Sequence, residues 1–221
     1  MTVPYKNDVI PYLAQIDELA AKMGSVNTLV RVDGGYKGYN TDMTGLYRAM
    51  SSDGVSIQGE QVIVLGAGGV GRAVAFMCAA KGAAHVWLLN RTVEKADEVA
   101  KEVNLAEGRS CVEALAMSDY DKLPDEKYLV IQSTSVGLYP HVEDAVITDP
   151  AFYHKVKAGY DLIYRPWETR FMQLVKEQGA PAYNGLKMLL YQGIEAFELW
   201  NQCKIEDESA YKLYEMLRTT V

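Results

Sequence analysis

The sequence predicts an α/β protein built around a parallel sheet. From residue 61 onward, short apolar runs alternate with amphipathic stretches, and a glycine-rich turn separates the first apolar run from the first long helix. Strands and helices that alternate in this way form parallel sheets with right-handed crossovers. The chain has 221 residues, 49% of them hydrophobic, which is enough for one large or two modest domains with a buried core.

Composition and charge favour a small-molecule partner. The 29 acidic and 22 basic residues give a formal net charge of −7 and form no long run of either sign. Such a chain lacks the basic patch with which proteins bind nucleic acid or an anionic membrane, so we expect neither partner. The oligomeric state stays open, with a homodimer among the states compatible with the sequence.

The cysteines and histidines indicate a cytoplasmic protein without a bound metal. Cys78, Cys111 and Cys203 are odd in number and widely separated, and the sequence starts without an apolar signal segment. A reducing compartment suits such thiols. The three histidines have no cysteine or histidine neighbour at ligand spacing, so no metal site is predicted.

The first sixty residues predict a mixed α/β segment. A helical pattern covers residues 8–22, and two strands, residues 26–32 and 36–39, flank the turn signal Asp33-Gly34-Gly35. A helix is expected to start near Thr41.

The remaining elements follow in alternation. A buried strand is predicted at residues 62–65, then a helix to residue 81, a strand at 85–89 and a helix at 92–103. Strands at 128–131 and 159–163 extend the sheet, and a helix at 168–177 covers it. The last helical stretch starts at residue 186 and should bury one stripe of apolar residues: Leu186, Leu189, Leu190, Ile194 and Phe197.

The glycine-rich turn indicates a dinucleotide site. The sequence Gly66-Ala67-Gly68-Gly69-Val70-Gly71 follows an apolar strand and opens an alanine-rich helix. Gly66 suits a tight turn, Gly68 allows the backbone to approach a pyrophosphate, and Gly71 allows the helix to pack closely on the strand. Amides at the helix N-terminus would hold the phosphates. The alternative is a glycine-rich turn without a ligand, but the strand before it and the helix after it favour the binding site.

The end of the second nucleotide strand favours NADP over NAD. An NAD-selective site usually has an acid about twenty residues past the glycines, for the ribose hydroxyls. This sequence has Asn90-Arg91-Thr92 instead. A guanidinium can pair with a 2′-phosphate through two parallel hydrogen bonds. In the alternative interpretation Thr92 caps the next helix and Arg91 is solvated.

Further polar blocks, taken together, resemble the shikimate dehydrogenase family. That family has the approximate patterns N-V-T-x-P-x-K, G-A-V-N-T, G-x-N-T-D and G-A-G-G with a downstream N-R-T. This chain matches them in order. The matching blocks are Thr2-Val3-Pro4-Tyr5-Lys6, Gly24-Ser25-Val26-Asn27-Thr28, Gly38-Tyr39-Asn40-Thr41-Asp42, Thr134-Ser135-Val136-Gly137, Asp161-Leu162-Ile163-Tyr164 with Pro166 and Thr169, and Gly185-Leu186-Lys187-Met188 with Gln192-Gly193.

The resemblance implies reversible reduction of the 3-dehydroshikimate ketone to shikimate, with hydride from NADPH. It implies that Lys6 and Asp42 form the acid/base pair, as suits an ammonium beside a carboxylate. The implied substrate-binding residues are Thr2, Asn27, Gln192 and Tyr164, and Tyr164 would also border the nicotinamide with Gly185 and Met188. The implied cofactor-binding residues are Gly66, Ala67, Gly68, Gly69, Val70, Gly71, Asn90, Arg91, Thr92, Thr134, Ser135, Val136, Gly185 and Met188.

Plainer interpretations of these residues stay open. Lys6 could be a solvated lysine, Asp42 an acid in the first turn of a helix, and Asn27 a turn former. Two positions depart from the family pattern, because Ser25 stands where the family has alanine and Gln132 where it commonly has asparagine.

The expected organisation is a Rossmann-like NADP-binding domain with a partial, N-terminally truncated α/β substrate domain. Residues 1–42 and 185–221 would form the remnant of the substrate-binding and catalytic domain, and residues 43–184 the NADP-binding domain. Family members carry about sixty further residues before the first block, including serines that bind the substrate carboxylate. The alternatives are a quinate/shikimate dehydrogenase and a non-catalytic NADP-binding protein, and the related methylene-tetrahydrofolate dehydrogenase fold ranks last.

Overall fold

The computed structural model describes residues 5–220, which group into two units. The first unit combines Met1–Gly54 with Lys187–Val221, and the second is Val55–Leu186. The predicted α/β fold with a parallel sheet is confirmed.

A three-stranded sheet forms the centre of the first unit. Its strands are β1 (Gln15–Ile16), β2 (Thr28–Val32) and β3 (Gly35–Tyr39), in the order β1-β3-β2. Strands β2 and β3 form the predicted antiparallel hairpin, with Val32 opposite Gly35. The two-residue turn between them contains Gly34 with a φ of 81°, a conformation that glycine adopts without steric cost.

The helix predicted over residues 8–22 is wrong. A short 3-10 turn, Ile10–Tyr12, is followed by β1, and helix α1 covers only Glu18–Met23. The chain leaves the turn at Leu13, whose backbone is extended, and Gln15 and Ile16 pair with β3 instead of continuing a helix. A new helix then begins because the Asp17 carboxylate accepts hydrogen bonds from the amides of Leu19 (3.1 Å) and Ala20 (3.3 Å).

Helix α2 (Thr41–Ser52) begins where the sequence predicts it. Its N-cap is Asn40, whose side-chain oxygen accepts a hydrogen bond from the Met43 amide at 3.2 Å. All of α2 belongs to the first unit, whereas the predicted domain boundary at residue 42 would divide it.

The second unit contains a sheet of six strands. The strands are β4 (Gln61–Leu65), β5 (His85–Asn90), β6 (Val112–Ala116), β7 (Tyr128–Gln132), β8 (Val156–Asp161) and β9 (Ala182–Tyr183). Their order is β6-β5-β4-β7-β8-β9, and every neighbouring pair is parallel. This is the doubly wound order, and its direction reverses between β4 and β7. The helices are α3 (Gly69–Ala80), α4 (Val93–Glu107), α5 (Pro150–Tyr153) and α6 (Arg170–Glu177).

The core of this unit surrounds β4 and β7. Residues 62–65 and 128–131 are fully buried, as expected for central parallel strands covered on both faces. The sequence missed β6, α5 and β9. Strand β6 is an edge strand, and only Val112 at its start is buried.

The last helical stretch is two helices, α7 (Leu186–Asn201) and α8 (Asp207–Arg218). The predicted buried stripe holds for Leu186 and Ile194. It fails for Phe197, which is 48% exposed.

Two helical glycines give a matched test of packing in the first unit. A Cβ on Gly45 in α2 would lie 2.6 Å from the backbone nitrogen of Gln192 in α7, whereas a Cβ on Gly193 would meet no atom within 4 Å. We expect Gly45→Ala to destabilise the protein by about 1–3 kcal/mol through overpacking. Gly193→Ala should stabilise it by up to about 1 kcal/mol, because alanine is the better helix former. Urea unfolding followed by circular dichroism measures both, and equal midpoints for the two variants would contradict this packing.

Candidate active site

The glycine-rich loop between β4 and α3 is a closely packed turn. Gly66 has φ 102°, and a Cβ there would lie 2.7 Å from the Thr134 methyl. A Cβ on Gly71 would lie 1.9 Å from the carbonyl oxygen of Gly66. Side chains are therefore excluded at both positions, since the helix starts directly against the end of the strand.

The N-terminus of α3 is open. Gly68 is the N-cap residue, and a Cβ there would meet no atom within 4 Å. Gly68, Gly69 and Val70 are exposed. The first amides of this twelve-residue helix can therefore donate hydrogen bonds to an anionic ligand such as a phosphate.

Asn90 at the end of β5 braces the glycine-rich loop. Its side-chain oxygen accepts a hydrogen bond from the Ala67 amide at 3.1 Å, and its side-chain nitrogen donates to the Thr92 carbonyl at 2.8 Å. Thr92 occupies the N-cap position of α4 but makes no side-chain capping bond. Arg91 is exposed and has no hydrogen-bond or ion-pair partner among residues 5–220.

The loop after β7 is joined to the glycine-rich loop. The Ser133 hydroxyl donates to the Leu65 carbonyl at 2.7 Å and lies 3.3 Å from that of Gly66. Thr134, Ser135 and Val136 follow at the same edge of the sheet. The sequence did not predict a role for Ser133, because nothing in the local pattern distinguishes it from the two hydroxyl residues that follow.

A buried carboxylate lies at the end of β8. Asp161 is fully buried and accepts hydrogen bonds from the Thr169 hydroxyl (2.6 Å), the Ile163 amide (2.9 Å) and the Gln132 side chain (3.4 Å). Burial raises the pKa of this carboxyl to about 6, although the three hydrogen bonds oppose the shift. The resemblance gave these residues no role.

Two more predicted residues of the second unit follow β8 and β9. Tyr164 is exposed. Gly185 is buried, its amide donates to the Ile163 carbonyl at 3.0 Å, and a Cβ there would lie 2.2 Å from the Leu162 carbonyl oxygen. Met188 is half-buried on α7, in the first unit.

The first unit brings Lys6 and Asp42 together. The Lys6 Nζ lies 2.6 Å from the Asp42 Oδ2, and about a quarter of each side chain is exposed (24% and 25%). Both groups are thus accessible to a small molecule while they hold each other. A solvated lysine and an isolated helix-start acid, the plainer interpretations, do not describe this contact.

Polar side chains fix the position of this pair. The Asn27 side-chain oxygen accepts hydrogen bonds from the amide (2.9 Å) and hydroxyl (3.2 Å) of Thr41, which precedes Asp42. The Asn40 side-chain nitrogen donates to the Ser25 carbonyl at 3.0 Å. The Val26 amide donates to the Lys6 carbonyl at 2.8 Å. The segment just before β2, residues 25–27, therefore positions both partners.

Two further residues, Gln192 and Thr2, were predicted to bind substrate in the first unit. Gln192 lies on α7 where that helix passes closest to Gly45 of α2, and its side-chain nitrogen donates to the Leu189 carbonyl at 3.1 Å. Thr2 lies outside the described residues.

This chain has a doubly wound dinucleotide-binding fold and an accessible ammonium–carboxylate pair. That combination suits the class of nicotinamide-dependent oxidoreductases, in which the cofactor carries hydride and the protein donates or accepts the proton. Within residues 5–220, no cluster of histidine, cysteine and acidic side chains is placed to bind a metal ion. No helix in this range has both the length and the apolar content needed to cross a membrane.

Comparison with known proteins places the chain in the shikimate dehydrogenase family. The family profile described as Shikimate / quinate 5-dehydrogenase matches residues 49–147, and that of the Shikimate 5'-dehydrogenase C-terminal domain matches residues 185–211. The chain is 40% identical, over 202 residues, to the shikimate dehydrogenase (NADP(+)) of Moorella thermoacetica. That alignment covers 90% of this chain and 68% of the relative.

Solved structures show the same fold. The chain matches a chorismate mutase/shikimate 5-dehydrogenase fusion protein from Clostridium acetobutylicum with a TM-score of 0.87 and 31% identity, over 100% of this chain and 76% of that one. It matches the shikimate 5-dehydrogenase of Listeria monocytogenes, crystallised with shikimate and NAD, with a TM-score of 0.87 and 27% identity, over 96% of this chain and 75% of that one.

The buried Asp161 predicts a pH-dependent stability. Because its pKa is raised to about 6 in the folded state, the native protein binds more protons than the unfolded chain between about pH 4 and pH 6. The contribution of this group to the free energy of unfolding is therefore fully present at low pH and falls as pH rises through this window. Asp161→Asn cannot ionise, and its amide oxygen can still accept the hydrogen bonds from Ile163 and Gln132. Relative to wild type, it should gain about 2 kcal/mol of stability between pH 4.5 and pH 7.5.

Urea unfolding at both pH values measures this difference. Curves for wild type and Asp161→Asn that shift in parallel with pH would show that the carboxyl titrates normally.

Proposed function

We propose that this chain is an NADP-dependent oxidoreductase that interconverts 3-dehydroshikimate and shikimate. The Lys6–Asp42 contact at 2.6 Å carries the proposal, because it supplies an accessible proton donor beside a charge partner in a chain that also has a dinucleotide-binding fold. Family membership and the name of the Moorella relative support the same reaction.

The proton chemistry falls to Lys6. When bound, NADPH supplies the hydride for the ketone carbon. The Lys6 ammonium would donate its proton to the ketone oxygen as negative charge develops there, and Asp42 would hold the ammonium in place. In the reverse direction the Lys6 amine would take the hydroxyl proton while the hydride passes from the carbon to bound NADP⁺. The proton and the hydride thus each have a donor and an acceptor in both directions.

In this proposal Arg91 determines the preference for NADPH over NADH. Its side chain is exposed at the carboxyl end of β5, and no acidic residue accompanies it in Asn90-Arg91-Thr92. Asn90 is occupied with the Ala67 amide, so it acts on the loop rather than on the ribose. The guanidinium is then the group best suited to a 2′-phosphate.

Substrate binding by Asn27, Gln192 and Tyr164 is part of the same proposal. For Asn27 the structure supports a second role, because its oxygen fixes the start of the helix that carries Asp42. A cytoplasmic location suits the unpaired state of Cys78 and Cys203 and belongs to the proposal as well.

Arg91→Ala should weaken NADPH selectively. Loss of a charge-assisted pair with the 2′-phosphate should raise the NADPH dissociation constant about 10- to 100-fold and leave that of NADH nearly unchanged. Cofactor fluorescence titration measures both constants. The matched control is Lys101→Ala, which removes an exposed cation further along α4. Equal losses for NADH and NADPH would refute the assignment of Arg91.

Lys6→Ala and Asp42→Asn should each lower turnover by about 10²- to 10⁴-fold, the usual contribution of a positioned acid or base. NADPH binding should survive, because neither residue belongs to the nucleotide-binding unit. Steady-state assays with shikimate and with quinate as substrate measure the effect. Lys22→Ala, which removes another lysine–acid pair of the first unit, is the control and should leave turnover unchanged.

Turnover by Lys6→Ala with an unaltered pH profile would remove Lys6 from the mechanism. NADPH binding by wild type without turnover of either substrate would favour the alternative, a non-catalytic NADP-binding protein.

A further inference from the structure

We propose that Asp161 is a positioning residue for the cofactor: through Gln132 and Thr169 it holds the loops after β7 and β8 in the conformation that binds the nicotinamide half of NADPH. This inference rests on the proposed function and extends it, because it assigns part of the cofactor affinity to residues buried beneath the site.

The sheet order locates the two halves of the cofactor. Arg91 at the end of β5 marks the 2′-phosphate, and the N-terminus of α3 after β4 marks the pyrophosphate. In the order β5-β4-β7-β8, a dinucleotide that extends across the carboxyl edge then reaches the loops after β7 and β8 with its other half. These loops are residues 133–137 and 162–169.

Gln132 fixes the first of these loops from within. Its side-chain oxygen accepts a hydrogen bond from the Thr134 amide at 2.5 Å. Its side-chain nitrogen lies 3.3 Å from the Thr134 carbonyl, 3.2 Å from that of Val136 and 3.4 Å from the Asp161 carboxylate. One buried amide thus replaces the partners that the backbone loses when the strand ends.

Thr169 fixes the second loop. Its hydroxyl donates to the Asp161 carboxylate at 2.6 Å and accepts from the Met172 amide at 3.3 Å, which caps α6. The other Asp161 oxygen accepts from the Ile163 amide at 2.9 Å. Both ends of the loop, residues 163 and 169, are therefore tied to the same carboxylate.

Asp161 and Gln132 lie opposite each other in the parallel pairing of β7 with β8, so the network joins the two loops directly. All three side chains, those of Gln132, Asp161 and Thr169, are almost fully buried. The carboxylate has neutral hydrogen-bond donors and its pKa is raised by burial, so its charge costs stability in the folded protein. The role of Asp161 in fixing the two loops explains why a carboxylate lies at this buried position despite that cost.

The test compares two ligands across two pairs of variants. Thr169→Val and Asp161→Ala remove the network, whereas Thr169→Ser keeps the hydroxyl that donates to Asp161. Asp161→Asn keeps an acceptor oxygen for Ile163 and Gln132 and loses the acceptor for Thr169. NADPH contains the nicotinamide half, and adenosine 2′,5′-bisphosphate contains only the adenosine half and the 2′-phosphate.

If the competent loop conformation falls to about a tenth of the population, the NADPH dissociation constant rises about tenfold. That of the bisphosphate should stay within twofold.

Asp149→Ala is the control for loss of a helix cap, because Asp149 caps α5 and contacts neither loop network. It should leave both dissociation constants unchanged. Thermal midpoints identify variants that unfold. If Asp161→Ala does not fold, Thr169→Val decides.

Selective loss of NADPH affinity in Thr169→Val, restored in Thr169→Ser, and a smaller loss in Asp161→Asn than in Asp161→Ala support the inference. Unchanged NADPH affinity in folded Thr169→Val, or equal weakening of both ligands, overturns it. Wild-type protein that binds neither ligand would instead overturn the proposed function, so the two failures are separable.

Discussion

The close approach of Gly71 to the Gly66 carbonyl is the constraint on which the nucleotide-binding unit depends. A Cβ at Gly71 would lie 1.9 Å from that oxygen, so α3 can start against β4 only if both positions are glycine. The Ser133 hydroxyl bonds to the adjoining Leu65 carbonyl and thereby attaches the loop after β7. Asp161 continues the connection to the loop after β8. A series of contacts, from Gly71 through Ser133 to Asp161, therefore links the loops after β4, β7 and β8.

The first unit positions its functional groups with polar side chains instead. Asn27 accepts two hydrogen bonds from Thr41, and Asn40 caps α2. Asp42, the residue after Thr41, therefore has a fixed place beside Lys6. Such side-chain-to-backbone bonds suit a segment of short strands, where the sheet supplies few backbone partners. Asn27 and Asn40 thus have a structural role beside the Lys6–Asp42 pair, and this role does not require that either of them contact substrate.

The sequence predicted the parts of the fold that have a local cause. Strong apolar periodicity and the glycine spacing predicted β4, β5, β7 and the turn into α3, and those elements are present. Local pattern failed at β1, where two residues pair with a distant strand, and at β6, an edge strand with weak apolar character. In the site, the bracing by Asn90 and the Ser133 contact join residues 23 and 68 positions apart, so only the folded chain reveals them.

The most direct test of the proposed reaction follows the hydride. NADPH with two deuterium atoms at C4 is incubated with this chain and 3-dehydroshikimate, and the product is examined by mass spectrometry and NMR. We expect shikimate with one deuterium on the carbon that carried the ketone, and with its new hydroxyl proton exchanged from water. Binding of NADPH without any deuterated product would contradict the claim that this chain joins an NADP site to a working Lys6–Asp42 pair.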